Sequence, residues 1–175
     1  KDAYIPDADK LEAAYETVQQ LWKDSVPVIT VNGEMLADLG YPEVNLNTGC
    51  PSGTVTAKGK GAGILRDPDA LDRFLDRVCV CSPLPVSVKT RIGFESTEEW
   101  EKLLAIYARY PLKRLIVHPR TCRERYDPAF LHRECLAETT ERFGGQTVVN
   151  GDLFGSAEIT RVQTLSWRPA HLIAS

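Results

Sequence analysis

Short runs of β-branched and apolar residues recur along this chain at intervals that suit a strand–helix repeat. They cover residues 26–31 (VPVITV), 43–47 (EVNLN), 85–90 (PVSVKT), 114–118 (RLIVH), 146–150 (QTVVN) and 171–174 (HLIA), and read as buried strands. The stretches between them carry helical spacing. Leu71, Phe74, Leu75 and Val78 follow Asp67-Pro68, which places Asp67 as N-cap and Pro68 at the first helical position. Ser96 and Glu99 form a capping box ahead of Trp100, Leu103, Leu104 and Tyr107. Asp127-Pro128 repeats the cap before Leu131, Cys135 and Leu136, and Leu11, Tyr15, Val18 and Trp22 mark an earlier amphipathic helix. Strand–helix alternation of this kind builds a parallel sheet with helices outside it.

The expected class is α/β, and the expected architecture a TIM-type (β/α)8 barrel that is incomplete in this chain. Such a barrel uses about 250 residues for eight units, so the 175 residues present hold about six strands, with the first two missing. Residues 1–175 then form a single partial barrel domain. The interval from Val26 to Glu43 is short for a crossover, so that helix is stunted or residues are missing there. Sheet edges left open by absent strands need a cover.

Charge and composition exclude several classes. A net charge of −3, with 43% hydrophobic and 26% charged residues, describes a soluble globule rather than a disordered or globally basic chain. No apolar run approaches the roughly 18 residues of a membrane span. Five cysteines without regular spacing, and no secretory leader, point to reduced thiols and a cytoplasmic setting.

Parallel α/β folds carry their working groups at the C-terminal ends of strands. Asn45 to Pro51, Val88 to Arg91, His118 to Thr121 and Asn150 to Asp152 all lie there, with polar groups directly after strands where folding alone would favour apolar side chains. These stretches carry a family resemblance. EVNLNTGCPSGTV followed by KGKGAGIL, then SVKTR, IVHPRT and VVNGDL in that order, resembles the tRNA-dihydrouridine synthases, flavoenzymes that reduce the C5–C6 double bond of particular uridines in tRNA.

The resemblance implies a role for each residue. Reducing a pyrimidine double bond needs a hydride on one carbon and a proton on the other, hence FMN, NADPH as reductant and an acid. Cys50 matches the family's cysteine acid, and an ordinary thiol, with a pKa of about 8.5, is mostly protonated at neutral pH. Lys89 matches the lysine beside the isoalloxazine, where a cation stabilises negative charge. His118, Asn150, Gly151 and Asp152 match flavin-contacting positions, with Gly151 permitting close backbone approach. Asn47, Arg91 and Tyr126 match positions near the uracil, which must be extruded from tRNA to reach the flavin. The family's C-terminal helical tRNA-binding domain has no counterpart in the sequence.

Two basic stretches are candidates for RNA phosphate: Lys58, Lys60 and Arg66, and the run Lys113, Arg114, Arg120, Arg123 and Arg125 with only Glu124 opposing. Gly59, Gly61 and Gly63 suggest a loop beside the site but fit neither a dinucleotide fingerprint nor a phosphate loop. The alternatives are an FMN barrel acting on a free pyrimidine or small enone, a non-catalytic flavin- or RNA-binding module, and a structural zinc module built on His118, Cys122, His132 and Cys135. No metal is expected, since Leu131 to Leu136 reads as a helix with its cysteine on the buried stripe.

Overall fold

The structure is a computed structural model that describes residues 34–151 and the backbone of 171–173. The strand expected at 26–31, the helix marked by Leu11 to Trp22, and Asp152 lie outside the described residues. Five strands form one parallel sheet in sequential order: β1 (Val44–Thr48), β2 (Val86–Gly93), β3 (Arg114–Thr121), β4 (Thr147–Asn150) and β5 (His171–Ile173). A doubly wound sheet reverses its strand order at a switch point. No reversal occurs among the described strands, and consecutive neighbours are what an arc of a barrel requires.

Register sorts the side chains into rows. Asn47 pairs with Lys89, Lys89 with Ile116, and Ile116 with Val148; one step of two residues further on, Arg91 pairs with His118. Because side chains alternate across a strand, these two rows share one face. The opposite face carries Val88, Leu115, Val117 and Val149, which join the core with helix residues Leu71, Leu75, Leu103, Leu104 and Leu136. The first row is apolar at Ile116 and Val148, whereas the second, at the C-terminal tips, is polar.

The helices form for local reasons. In α2 (Pro68–Cys81; α1 is the single turn Gly53–Thr56) the Asp67 carboxylate accepts from the Ala70 N–H at 3.0 Å, and Leu71, Leu75 and Val78 make the buried stripe. The capping box at Ser96 and Glu99 closes a 3-10 turn that leads into α3 (Trp100–Tyr107). Glu99 does more than cap: its carboxylate also accepts the Phe94 N–H at 2.6 Å and the Glu95 N–H at 3.0 Å, fixing the loop after β2. That loop folds back so tightly that a Cβ on Gly93 would lie 2.3 Å from the Ser96 carbonyl oxygen.

One expected cap is displaced. The Asp127 carboxylate accepts from the Ala129 N–H in a local turn, and α4 runs from Glu134 to Phe143. The intervening segment is pinned to the sheet by the His132 N–H donating to the Pro119 carbonyl, so it cannot enter a helix earlier. Pro119 also perturbs β3. Arg91 pairs with His118 but Gly93 with Thr121, one extra residue on β3, where a proline without an N–H interrupts the ladder.

Beneath the tips of β1 and β2, the fully buried Tyr107 hydroxyl hydrogen-bonds Thr90 Oγ1 at 2.9 Å and Thr48 Oγ1 at 3.1 Å. Burial pushes the phenol up to about 12, so it stays protonated. Each threonine keeps a second partner, Lys89 O for Thr48 and Arg91 O for Thr90. Replacing Tyr107 by Phe is therefore expected to cost about 1–2 kcal/mol rather than the full price of two orphaned hydroxyls. A urea unfolding midpoint indistinguishable from that of the unsubstituted protein would contradict this.

Candidate functional site

The segment leaving β1 makes a tight turn organised by Asn47, whose Oδ1 accepts the Gly49 N–H at 3.1 Å. Gly49 is required by the neighbouring strand, since a Cβ there would sit 3.1 Å from the Thr90 carbonyl carbon. Cys50 follows, half-exposed, its carbonyl accepting the Ala62 N–H at 3.0 Å from the 3-10 helix Gly61–Arg66. Gly61, at φ 53°, lets that helix close on the Cys50 backbone. Cys50 and Asn47 open together on a hollow of about 580 Å³ rimmed by Thr54, Val55, Lys58 and Lys60.

Lys89 neighbours Asn47 in the register and is half-buried. Desolvation holds its ammonium below the usual lysine range, Arg91 adds repulsion, and Cys50 opposes both. Arg91 is only 2% exposed. Its Nε donates to Gly49 O at 3.0 Å, and its Nη1 to Thr121 O at 2.9 Å and to Arg125 O at 2.5 Å. The guanidinium thus ties the β1, β2 and β3 tips together instead of standing open as a fork. Tyr126, 69% exposed, stands over it, with its ring centroid 4.9 Å from the Arg91 Cζ and 5.9 Å from the His118 ring in edge contact.

His118 is buried beside Arg120, whose Nη1 lies 3.2 Å from His118 Nε2. A guanidinium can only donate, so Nε2 accepts and the imidazole is neutral with its proton on Nδ1. Asn150 contributes a side-chain hydrogen bond to the same ring. Gly151, at φ 122°, closes over it: a Cβ there would lie 2.8 Å from both Nδ1 and Cε1. Desolvation first, then the charges of Arg91, Arg120 and Lys89, bring His118 down to about 4.

Cys50, Lys89, Arg91, His118, Asn150, Gly151 and Asn47 therefore collect on the C-terminal rim, with Tyr126 above them. The basic run between residues 113 and 125, in contrast, is not one surface. Lys113 and Arg114 pair with Glu43 at the opposite end of the sheet, at 2.9 Å and 3.4 Å. Arg120 is fully buried, and Arg123 pairs with Glu95. The eight residues of β3 separate its two ends by roughly 23 Å. Arg120, expected from its charge to be a candidate for RNA phosphate, instead turns inward onto His118. Its spacing of two from His118 in a strand was the signal available.

The four residues of the zinc alternative do not form a ligand group. His118 bonds Arg120, His132 bonds Glu124 at 2.8 Å, and the Cys135 carbonyl accepts the Trp100 indole N–H. Among the described residues no three His, Cys, Asp or Glu side chains converge as metal ligands. No helix among them is long and apolar enough to cross a membrane.

A family model described as dihydrouridine synthase (Dus) matches residues 2–166. A probable tRNA-dihydrouridine synthase of Staphylococcus aureus is 30% identical over 146 residues, covering 81% of this chain and 44% of that protein. The tRNA-dihydrouridine(16) synthase of Shigella flexneri is 32% identical over 125 residues, covering 70% of this chain and 40% of that protein. The chain spans less than half the length of these curated relatives.

The neutral His118 has a measurable signature. The unfolded chain takes up the imidazole proton near pH 6.5 and the folded chain only near 4, so the stabilisation is complete above about 6.5 and is lost as pH falls towards 4. The His118 Cε1–H resonance is expected to stay fixed between about pH 8 and about pH 5.5. A titration midpoint close to that of a free histidine would overturn the Arg120–His118 arrangement.

Proposed function

The chain belongs to the dihydrouridine synthase family, and from that premise we propose that it is part of the catalytic domain of an FMN-dependent, cytoplasmic tRNA-dihydrouridine synthase using NADPH. The described sheet is then an arc of a (β/α)8 barrel, and residues 1–175 belong to a single flavin-binding domain. The observation that carries the reading is the placement of Cys50. It opens on a hollow of about 580 Å³ beside Asn47, next to Lys89, at the tips of a parallel sheet.

The residues present fit a flavin. Ile116 and Val148 offer an apolar floor, Lys89 a desolvated cation at its edge, and Gly151 a backbone free of a side chain. Bound FMN supplies the hydride for one carbon of the C5–C6 bond. In this reading the Cys50 thiol gives its proton to the other carbon, and the resulting thiolate sits in the positive field of Lys89 and Arg91 until water reprotonates it. Lys89 stabilises negative charge on the cofactor. His118, with Nε2 taken by Arg120, meets the cofactor as a neutral ring. Asn47 spends its Oδ1 on the turn, which leaves its amide nitrogen as the group to donate to a pyrimidine carbonyl. Arg91 holds the rim to which Tyr126 adds an exposed aromatic face for an extruded base.

In the full-length protein, Cys50→Ala is expected to lower uridine reduction about 10²–10⁴-fold while flavin reduction by NADPH proceeds as before. Equal loss of both half-reactions would count against the acid role. Supplying unmodified tRNA and free uridine in parallel tests the substrate. Dihydrouridine formed equally well from free uridine would favour the small-molecule alternative.

A further inference from the structure

A second hollow, of about 290 Å³, lies on the far side of the segment that carries Cys50. Pro51 and Thr56 form one wall, Phe94 another, and Arg66, Arg123 and Arg125 line the rest. These arginines come from three different places: the end of the 3-10 helix and two positions in the loop after β3. Arg66 and Arg123 are held through their side chains and Arg125 through its backbone. The Arg66 guanidinium lies over Phe94, its Cζ 3.8 Å from the ring centroid, and Phe94 is itself fixed through its N–H to Glu99. Arg123 is paired with Glu95. Arg125 has a left-handed backbone, φ 53°, and its carbonyl is bound by Arg91.

Arg123 and Arg66 both act on one carboxylate, Glu95, and Arg66 and Arg125 both bear on the Cys122 thiol at the cleft. Buried Arg91 adds a further positive charge beside that thiol. Such a cleft selects an anion. An arginine held over an aromatic ring presents a planar fork suited to phosphate oxygens. The volume is below the usual range for ligand pockets, enough for a phosphate and its sugar but not for a whole dinucleotide. Pro51 directly follows Cys50, so a base extruded to the Cys50 hollow keeps its flanking phosphates within reach of this wall.

We propose that the cleft walled by Arg66, Arg123 and Arg125 holds a phosphodiester of the substrate RNA adjoining the uridine presented to Cys50. This rests on the functional reading above, which supplies the RNA. The two basic segments, far apart in sequence, thereby act on one phosphate rather than on a diffuse surface.

The test uses the full-length, flavin-loaded protein with labelled, unmodified tRNA. Arg66 and Arg125 are both exposed, so the pair Arg66→Gln with Arg125→Gln should fold as before. The expected result is a Kd for tRNA raised about tenfold or more and a slope of log Kd against log salt reduced by about one. Among turnover constants, kcat and the KM for NADPH should hold, and Arg66→Lys with Arg125→Lys should recover part of the salt slope. An unchanged Kd and slope, or a rise in the KM for NADPH in place of the Kd for tRNA, would overturn the proposal. Failure of the functional reading would appear separately, as absence of dihydrouridine with the unsubstituted protein, and the binding measurement decides the cleft in either case.

Discussion

Arg91 occupies the point where three strand tips meet, and most of the rim depends on it. Taking a guanidinium out of water costs several kcal/mol unless its donors are satisfied. Here the partners are carbonyl oxygens of Gly49, Thr121 and Arg125. Those bonds position the Cys50 turn against β2, and they hold the loop that carries Tyr126. Carbonyls satisfy the donors without cancelling the charge. The positive field therefore persists, and it is among the causes that lower both Lys89 and His118.

The support below the rim is polar as well. Tyr107 reaches through the helix layer to Thr48 and Thr90, so α3 is keyed to the ends of β1 and β2 by direction-dependent bonds as well as by apolar contact. Above it, Glu99 anchors the loop after β2 through backbone N–H groups. The rim is thus held from both sides. Arg120 applies the same logic within β3, where a buried cation decides which nitrogen of His118 carries the proton.

Much of this was legible from local chemistry. Five expected strands are present with ends shifted by a few residues, because alternation and β-branching act over the same short range that defines a strand. Asp67 and the Ser96–Glu99 box cap as expected, since each needs only its immediate neighbours. Asp127 failed as a helix cap because a distant bond, from His132 to Pro119, decides where that segment lies. The resemblance located Cys50, Lys89, His118 and Asn150 at one rim. Charge alone could not show that Arg91 and Arg120 turn inward, because a buried arginine and a solvated one have the same spelling. Likewise Glu95 and Glu43, which neutralise parts of the basic run, lie far from it in sequence and meet it only through the sheet.

The pairing of Glu43 with Lys113 and Arg114 at the start of the strands has a wider effect. That end of the sheet sets one carboxylate against two cations, whereas the tips gather Lys89, Arg91 and Arg120 inside and Arg66 and Arg125 at the mouth. Among these residues the larger share of the positive charge lies at the tips, even though the whole chain carries a net −3. An anion approaching these tips meets that local positive charge before contact, and the attraction weakens as ionic strength rises.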